Sequence, residues 1–450
     1  MLETFKNAWK IPDLRRRLLF TLAMLIIFRF GAHIPVPFLS AEAMQAFIGN
    51  GGTDLFSLFD VFTGGAFSNA TVMALGVSPY INASIIIQLL TVAIPALERM
   101  SKEGVEGRKK LNKITRYLGL ALAFVQGAGL YVTLYNMSQG ANGIAAIASP
   151  DGIPAALIFF VIVLTFTAGT AIIVWLGELI TEKGIGSGVS LMIFAGIVSR
   201  IPTAMYSVYN NFLAGNASIK GIIAVVAILA IAVIAIGFVV MFSEAERRIP
   251  IQYAKRVVGR KMYGGQSTNI PIKVAAGGVM PIIFASSIMA FPATIVRLLS
   301  GGNMPTSGFG ATILGCLSAG YSGAPGWTSV VYAVLYFVLI IFFTYFYSTI
   351  QFNPIEIANN VKKSGGFIPG IRPGRPTSDY IRKTSSRLNL IGAMFLGIIA
   401  VLPVVVGAIF HMQGLQIGGT SLLIVEGVAL ESVRQIESQM VMRHYKGFLN

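Results

Sequence analysis

The chain has 450 residues, of which 55% are hydrophobic and only 12% charged, with a mean hydropathy of +0.74. That leaves too little polar surface to cover a water-soluble fold, and the net charge of +16, which would suggest nucleic acid in a soluble protein, must be read by its position relative to a membrane. Unpaired backbone groups are costly in hydrocarbon, and the apolar runs are about 20 residues long rather than alternating tens, so the expected class is an all-α integral membrane protein and not a closed barrel.

Residues 1–17 are basic and amphipathic and lead into an apolar run with no small-residue cleavage site, so they read as a cytoplasmic N-terminus rather than a removable signal. Apolar runs follow at 18–36, 73–94, 117–135, 153–176, 186–199, 221–242, 274–296, 329–350, 390–410 and 420–436, ten expected spans of which the fifth and tenth are short. Charge supports the weak ones. Of the 34 Lys and Arg, all but Arg29, Arg200, Lys220 and Arg297 fall in 1–17, 95–116, 177–184, 243–273, 351–389 and 431–450. Every second connection, including 37–72 and 298–328, is therefore nearly free of positive charge, which puts both termini in the cytoplasm.

Two sets of five spans can be related only by inverted topology, because five is odd. The expected division is 18–202 for the first half, 203–220 for an external hinge connection, 221–436 for the second half and 437–450 for a cytoplasmic tail. Pro79 is expected to break the second span, and the Gly184, Gly186, Gly188 cluster opens the fifth. Between the first two spans, Leu55 to Phe62 is apolar enough to bury and too short to cross, so it is either a short helix folding back into the bundle or a loop on the outer surface.

Enzymatic chemistry has no visible carrier. Cys316 is the sole cysteine, and His33, His411 and His444 have no metal-ligand spacing. The metalloprotease, phosphate-loop and serine-hydrolase motifs are missing, and Gly-Ile-Gly-Ser-Gly at 184–188 enters a membrane span with no following lysine. No cofactor and no metal site are expected. Secondary transport of a small solute, the main alternative function, usually needs several ionisable groups at mid-membrane, and the spans here carry few beyond Arg29 and Glu426, with Glu178 at a cytoplasmic end. Arg29 is expected to snorkel or to bind a carbonyl. Glu426 has no assigned role, and its spacing from Ile424 turns it to another face of the helix.

The stretches LGVSPYINASIIIQLL (75–90), WLGELITEKGIGSGVSLMIFAGIV (175–198), RRIPIQYAKR (247–256), GGVMPIIFASSIMAFPATI (277–295), KKSGGFIPGIRPGRPT (362–377) and GGTSLLIVEGVALES (418–432) resemble the motifs of bacterial SecY proteins, in family order. Those proteins are the pore-forming subunits of the Sec channel. The resemblance implies two inverted five-helix halves around an hourglass pore, with a re-entrant plug at about 55–68. It implies passage of unfolded secretory polypeptides across the bacterial cytoplasmic membrane and sideways release of membrane segments into lipid. The implied partners are small SecE-like and SecG-like subunits, the SecA ATPase, the ribosome, signal sequences and nascent chains, and anionic lipid.

Carried over by position, the resemblance puts an apolar pore ring on Val77, Ile81, Ile193, Ile283 and Ile424. Its plug residues are Leu55, Phe56, Leu58, Phe59, Val61, Phe62, Gly64, Gly65 and Phe67. The lateral gate falls on Asn82, Ile85 and Ile86 of the second span and on Phe284, Ser287 and Phe291 of the seventh. Docking of SecA or the ribosome falls on Arg247, Arg248, Lys255, Arg256, Lys362, Arg372 and Arg375, in the loops 243–273 and 351–389. An aliphatic ring is suited to a pore because a dewetted constriction excludes hydrated ions and offers no hydrogen-bond pattern that would select one peptide over another.

Overall fold

Helices cover all ten apolar runs in a computed structural model of the chain, which describes residues 6, 8–49, 60–139, 147, 153–212, 219–253, 256–258, 261–263, 267–274, 277–299, 308–317, 325–410 and 419–446. In chain order they are α1 (Pro12–Gly31), α2 (Ala41–Gly49), α3 (Ser78–Ala93), α4 (Pro95–Lys102), α5 (Val105–Gln139), α6 (Ala155–Lys183), α7 (Gly188–Phe212) and α8 (Ile219–Glu244). After a strand-rich segment come α9 (Met280–Leu299), α10 (Phe309–Leu317), α11 (Trp327–Gln351), α12 (Pro354–Lys363), α13 (Arg375–Phe410) and α14 (Gly419–Lys446). Among the described residues, 105–136, 155–183, 327–363 and 375–402 are long and apolar enough to cross a membrane unaided, and 78–102 joins them if its bent pair counts as one span.

Proline acts mostly at helix starts, where its missing N–H leaves no bond unmade. Pro12, Pro79, Pro95 and Pro354 each sit in a first turn. Pro79 therefore begins α3 and does not break it, and the stretch 72–77 ahead of it is a run of turns rather than helix. The true break in that span is at Ile94, where α3 gives way to α4 at 102°. Gly184 to Ser187 separate α6 from α7 as expected, and the absent side chain of Gly188 lets its backbone lie against the Gly177 carbonyl. Inside the helices, many hydroxyls bond back one turn, as Thr133 Oγ1 does to Gly129 O and Thr344 Oγ1 to Ile340 O, which spares them from facing hydrocarbon unpaired.

The all-α expectation needs correction. The loop after α8 folds into β1 (Glu246–Tyr253), β2 (Arg256–Val258), β3 (Lys261–Tyr263) and β4 (Ser267–Lys273), and the loop after α12 adds β5 (Gly366–Phe367). Strand β1 lies between β4 and β5, antiparallel to both, with Ile249 opposite Ile270 and Gln252 opposite Phe367. Its alternation turns Ile249 and Ile251 inward, and Ile249, Ile272, Ile368 and Ile381 form a small separate core. The two basic loops are thus one platform. Two helices also run further than the sequence suggested: α13 starts at Arg375, inside the expected loop, and α7 continues to Phe212, inside the expected hinge.

Three apolar clusters organise the membrane part. One, around Met44, Phe67, Leu134, Ile162 and Phe166, belongs to the first half. A second, around Met289, Ile340, Phe343, Leu396 and Leu423, belongs to the second half and takes Ile85 from α3. The third draws on both halves and lies between them. Outward faces stay apolar, with Phe160, Trp175, Val233 and Ile398 exposed, as contact with lipid requires.

Candidate functional site

Five aliphatic side chains from five places in the sequence meet in that third cluster: Val77 at the start of α3, Ile81 one turn on, Ile193 of α7, Ile283 of α9 and Ile424 of α14. Val77, Ile193, Ile283 and Ile424 are buried, and Ile81 is half-buried. Position explains the grouping. The turn before Pro79 aims Val77 across the bundle, and spacing of four residues puts Ile81 on the same helical face. Val61 and Phe62, from the segment before α3, pack into the same cluster.

In that segment the described residues 60–63 are helical and are followed by Gly64 and Gly65 at φ +66° and +91°. Only glycine adopts such values without strain. Phe62 lays its carbonyl against Gly196 of α7, where any side chain would collide. Two contacts hold the turn: Asp60 forms an ion pair with Arg200 of α7, which sequence reasoning missed, and Arg29 Nη1 of α1 donates to Gly64 O at 3.1 Å. Arg29 thus binds a carbonyl rather than snorkelling away. The available signals were that Asp60 is the sole acid in 55–68 and that Arg200 ends a span without serving topology. Leu55, Phe56, Leu58 and Phe59 lie outside the described residues, while Val61 and Phe67 are buried.

Beside the aliphatic cluster opens a cavity of about 530 Å³, lined by Ile81, Ile193 and Ile283 at one end and by charged groups at the other. There Arg116 of α5 pairs with Glu178 of α6 at 3.0 Å. Two expected gate residues, Ile85 and Phe284, are packed in one cluster, while Asn82, Ile86 and Ser287 are half-buried. Phe291 lies on α9, with its side chain outside the described set. The Phe284 ring meets Tyr347 edge-on at 5.1 Å, and Tyr347 Oη donates to Gln88 Oε1 of α3 at 2.8 Å. Helix α11 therefore bridges α3 and α9, which was not foreseen. Glu426 is buried, and its Oε2 accepts from Ser243 Oγ of α8 at 3.1 Å.

On the platform, Arg247 and Arg248 are exposed on β1, with Arg248 Nε bound to Glu246 at 2.7 Å. Lys255 lies outside the described residues, as does the side chain of Arg256 on β2. Lys362 is exposed near the end of α12, and Arg375 at the start of α13. Arg372 is exposed at a loop tip between Gly370 and Gly374, at φ +81° and +106°. Its carbonyl accepts from Thr377 Oγ1 at 2.9 Å, and Ile371 N donates to Ile368 O at 3.0 Å, so the tip is tied down beneath the arginine. Among the described residues no group of His, Cys, Asp and Glu could hold a metal ion.

A family model described as SecY matches residues 71–433. A protein translocase subunit SecY of Streptomyces scabiei is 45% identical over 458 residues, with both chains covered completely. Another, from Mycobacterium tuberculosis (strain ATCC 25618 / H37Rv), is 46% identical over 460 residues with the same complete coverage. Among solved structures, a protein-conducting channel superposes with a TM-score of 0.65 at 20% identity, over 94% of this chain and 92% of that one. A SecY channel solved to study how its plug domain stabilises the closed state gives 0.66 at 21%, with the same coverage. Both share the fold.

Proposed function

The chain belongs to the SecY family, and from that premise we propose that its central aliphatic cluster is the constriction of a polypeptide-conducting pore. As a protein translocase subunit it is a multi-pass membrane protein and a channel component, not an enzyme. The reading is carried by one observation: Val77, Ile81, Ile193, Ile283 and Ile424, remote in sequence, converge where the two halves meet. The ten spans form two inverted halves around an hourglass pore, and 55–68 is the plug that lies below the ring. Exit into lipid runs between α3, at Asn82 to Ile87, and α9, at Phe284 to Phe291. The chain sits in the bacterial cytoplasmic membrane with both termini inside. It acts with SecE-like and SecG-like subunits and is driven by SecA or the ribosome through the platform arginines. Signal sequences and nascent chains enter it, and anionic lipid faces its basic loops.

A cysteine pair at Asn82 and Phe291, once oxidised, is expected to block translocation of a secretory precursor in reconstituted vesicles while binding of the driver persists. Unimpaired transport through channels whose disulfide has demonstrably formed would remove the gate from this place. Orientation has a separate check. Cysteines at Gly143 and Gly301, both outside the described residues, are expected to react with a membrane-impermeant reagent only from outside, and one at Lys362 only from the cytoplasm. Labelling of Lys362 from outside would reverse or change the span count.

A further inference from the structure

The ties on the turn before α3 are of a different kind from the apolar packing around them. The Asp60 side chain is 3% exposed, and that of Arg200, its partner on α7, is 28% exposed. Its other carboxylate oxygen, Oδ1, accepts from Ser68 N at 2.7 Å, and its backbone carbonyl accepts from Gly65 N at 2.9 Å. One residue therefore closes the turn internally and fastens it to a helix. From the opposite side Arg29 of α1 holds the Gly64 carbonyl. The turn could not come so near without glycine at 196, one helical turn before Arg200 and on the same face of α7.

Apolar contacts such as those of Val61 and Phe62 have no preferred direction and tolerate sliding. A buried ion pair does not, since separating it leaves a charge without a partner in a poorly solvated place. We propose that Asp60, Arg200 and Arg29 form a charge latch that fixes the pore-closing turn against α1 and α7 and sets the threshold for opening. The latch belongs to one half of the molecule. Both of its arginines sit on first-half helices, Arg29 in the last turn of α1 and Arg200 about midway along α7, so the latch can part without the halves separating first. This inference rests on reading 55–68 as the segment that closes the pore.

The test uses Asp60→Asn, Arg200→Gln, the double variant and the reversed pair Asp60→Arg with Arg200→Asp, each co-expressed with the small membrane partner. Resting ion conductance is measured in planar bilayers, and export of a precursor with a defective signal in vesicles. Each single variant is expected to raise resting opening about tenfold or more. The double variant should add nothing to the worse single one, and the reversed pair should regain much of the closure. Arg200→Lys, which keeps the charge, should stay near wild type. Silent single variants in assembled channels, or fully additive effects in the double variant, would overturn the latch. Ile283→Asn in the same assay separates the two readings: conductance raised by it but not by Asp60→Asn removes the latch alone, and conductance raised by neither removes the pore reading. If no latch variant assembles, the residues serve folding only and the proposal falls.

Discussion

Arg372→Glu is expected to lower driven translocation by about 30-fold or more, the scale on which a hydrogen-bonded charge pair at an interface is lost. The effect should appear with no loss of membrane insertion or of small-subunit binding. The reason is presentation. Arg372 is exposed on a tip whose backbone is fixed by Thr377 and Ile368 and whose glycines adopt values other residues avoid, so its side chain is offered to solvent from a fixed base. A guanidinium so placed can bind an RNA phosphate or a protein carboxylate in two-point fashion. Lys362, a flexible point charge near the end of α12, should behave differently. Lys362→Glu is expected to cost less than about fivefold, since exposed pairs of that kind contribute about 0–1 kcal/mol. Transport and channel assembly are scored separately in reconstituted vesicles. Equal transport by the two variants, or failure of Arg372→Glu through lost assembly, would return the loop's charge to a purely topological role.

Ile283→Asn and Ile424→Asn are expected to raise resting ion leak and to let precursors with weak signals through. Each side chain is buried in the central cluster. Burying one isoleucine is worth about 1.5–3 kcal/mol, so losing it shifts the closed–open balance by roughly 10- to 100-fold. An amide also wets a narrow constriction that aliphatic groups keep dry. Ile162 is the control: it is equally buried, but in the cluster of the first half. Ile162→Asn should reduce the amount of assembled channel without raising leak per channel. Equal leak from Ile162→Asn would mean that the five aliphatics are packing and nothing more, and so would wild-type conductance from Ile283→Asn.

What could be read from the sequence was whatever is local in it. Helix positions follow from apolar length, so helices over all ten runs agree with expectation. The convergence of Ile193, Ile283 and Ile424 was legible only through motif resemblance, because spacing alone cannot distinguish a pore lining from ordinary core. The platform sheet was missed because β1 finds partners on two sides, one of them beyond four further helices. Its trace was there in the alternation of Ile249 with Ile251 and of Ile270 with Ile272. Pro79 was misjudged because proline both ends and begins helices, and the tight turns ahead of it decide which. The pair of Asp60 with Arg200 joins residues some 140 apart in the chain, and no local pattern connects them.

The shared sheet links the loop tip to the strand that leads into α9. Strand β5 lies just before the tip, is paired to β1, and through β1 to β4, whose chain runs on from Lys273 into α9 at Met280. The tip at Arg372 is thereby connected to the helix that carries Ile283 and Phe284 as well as to α13. Such a linkage works in both directions by thermodynamic necessity. If gripping the tip favours an open pore, a pore already held open by a chain in transit grips its driver more tightly, and the arrival of substrate itself prolongs the stay of the machine that delivers it.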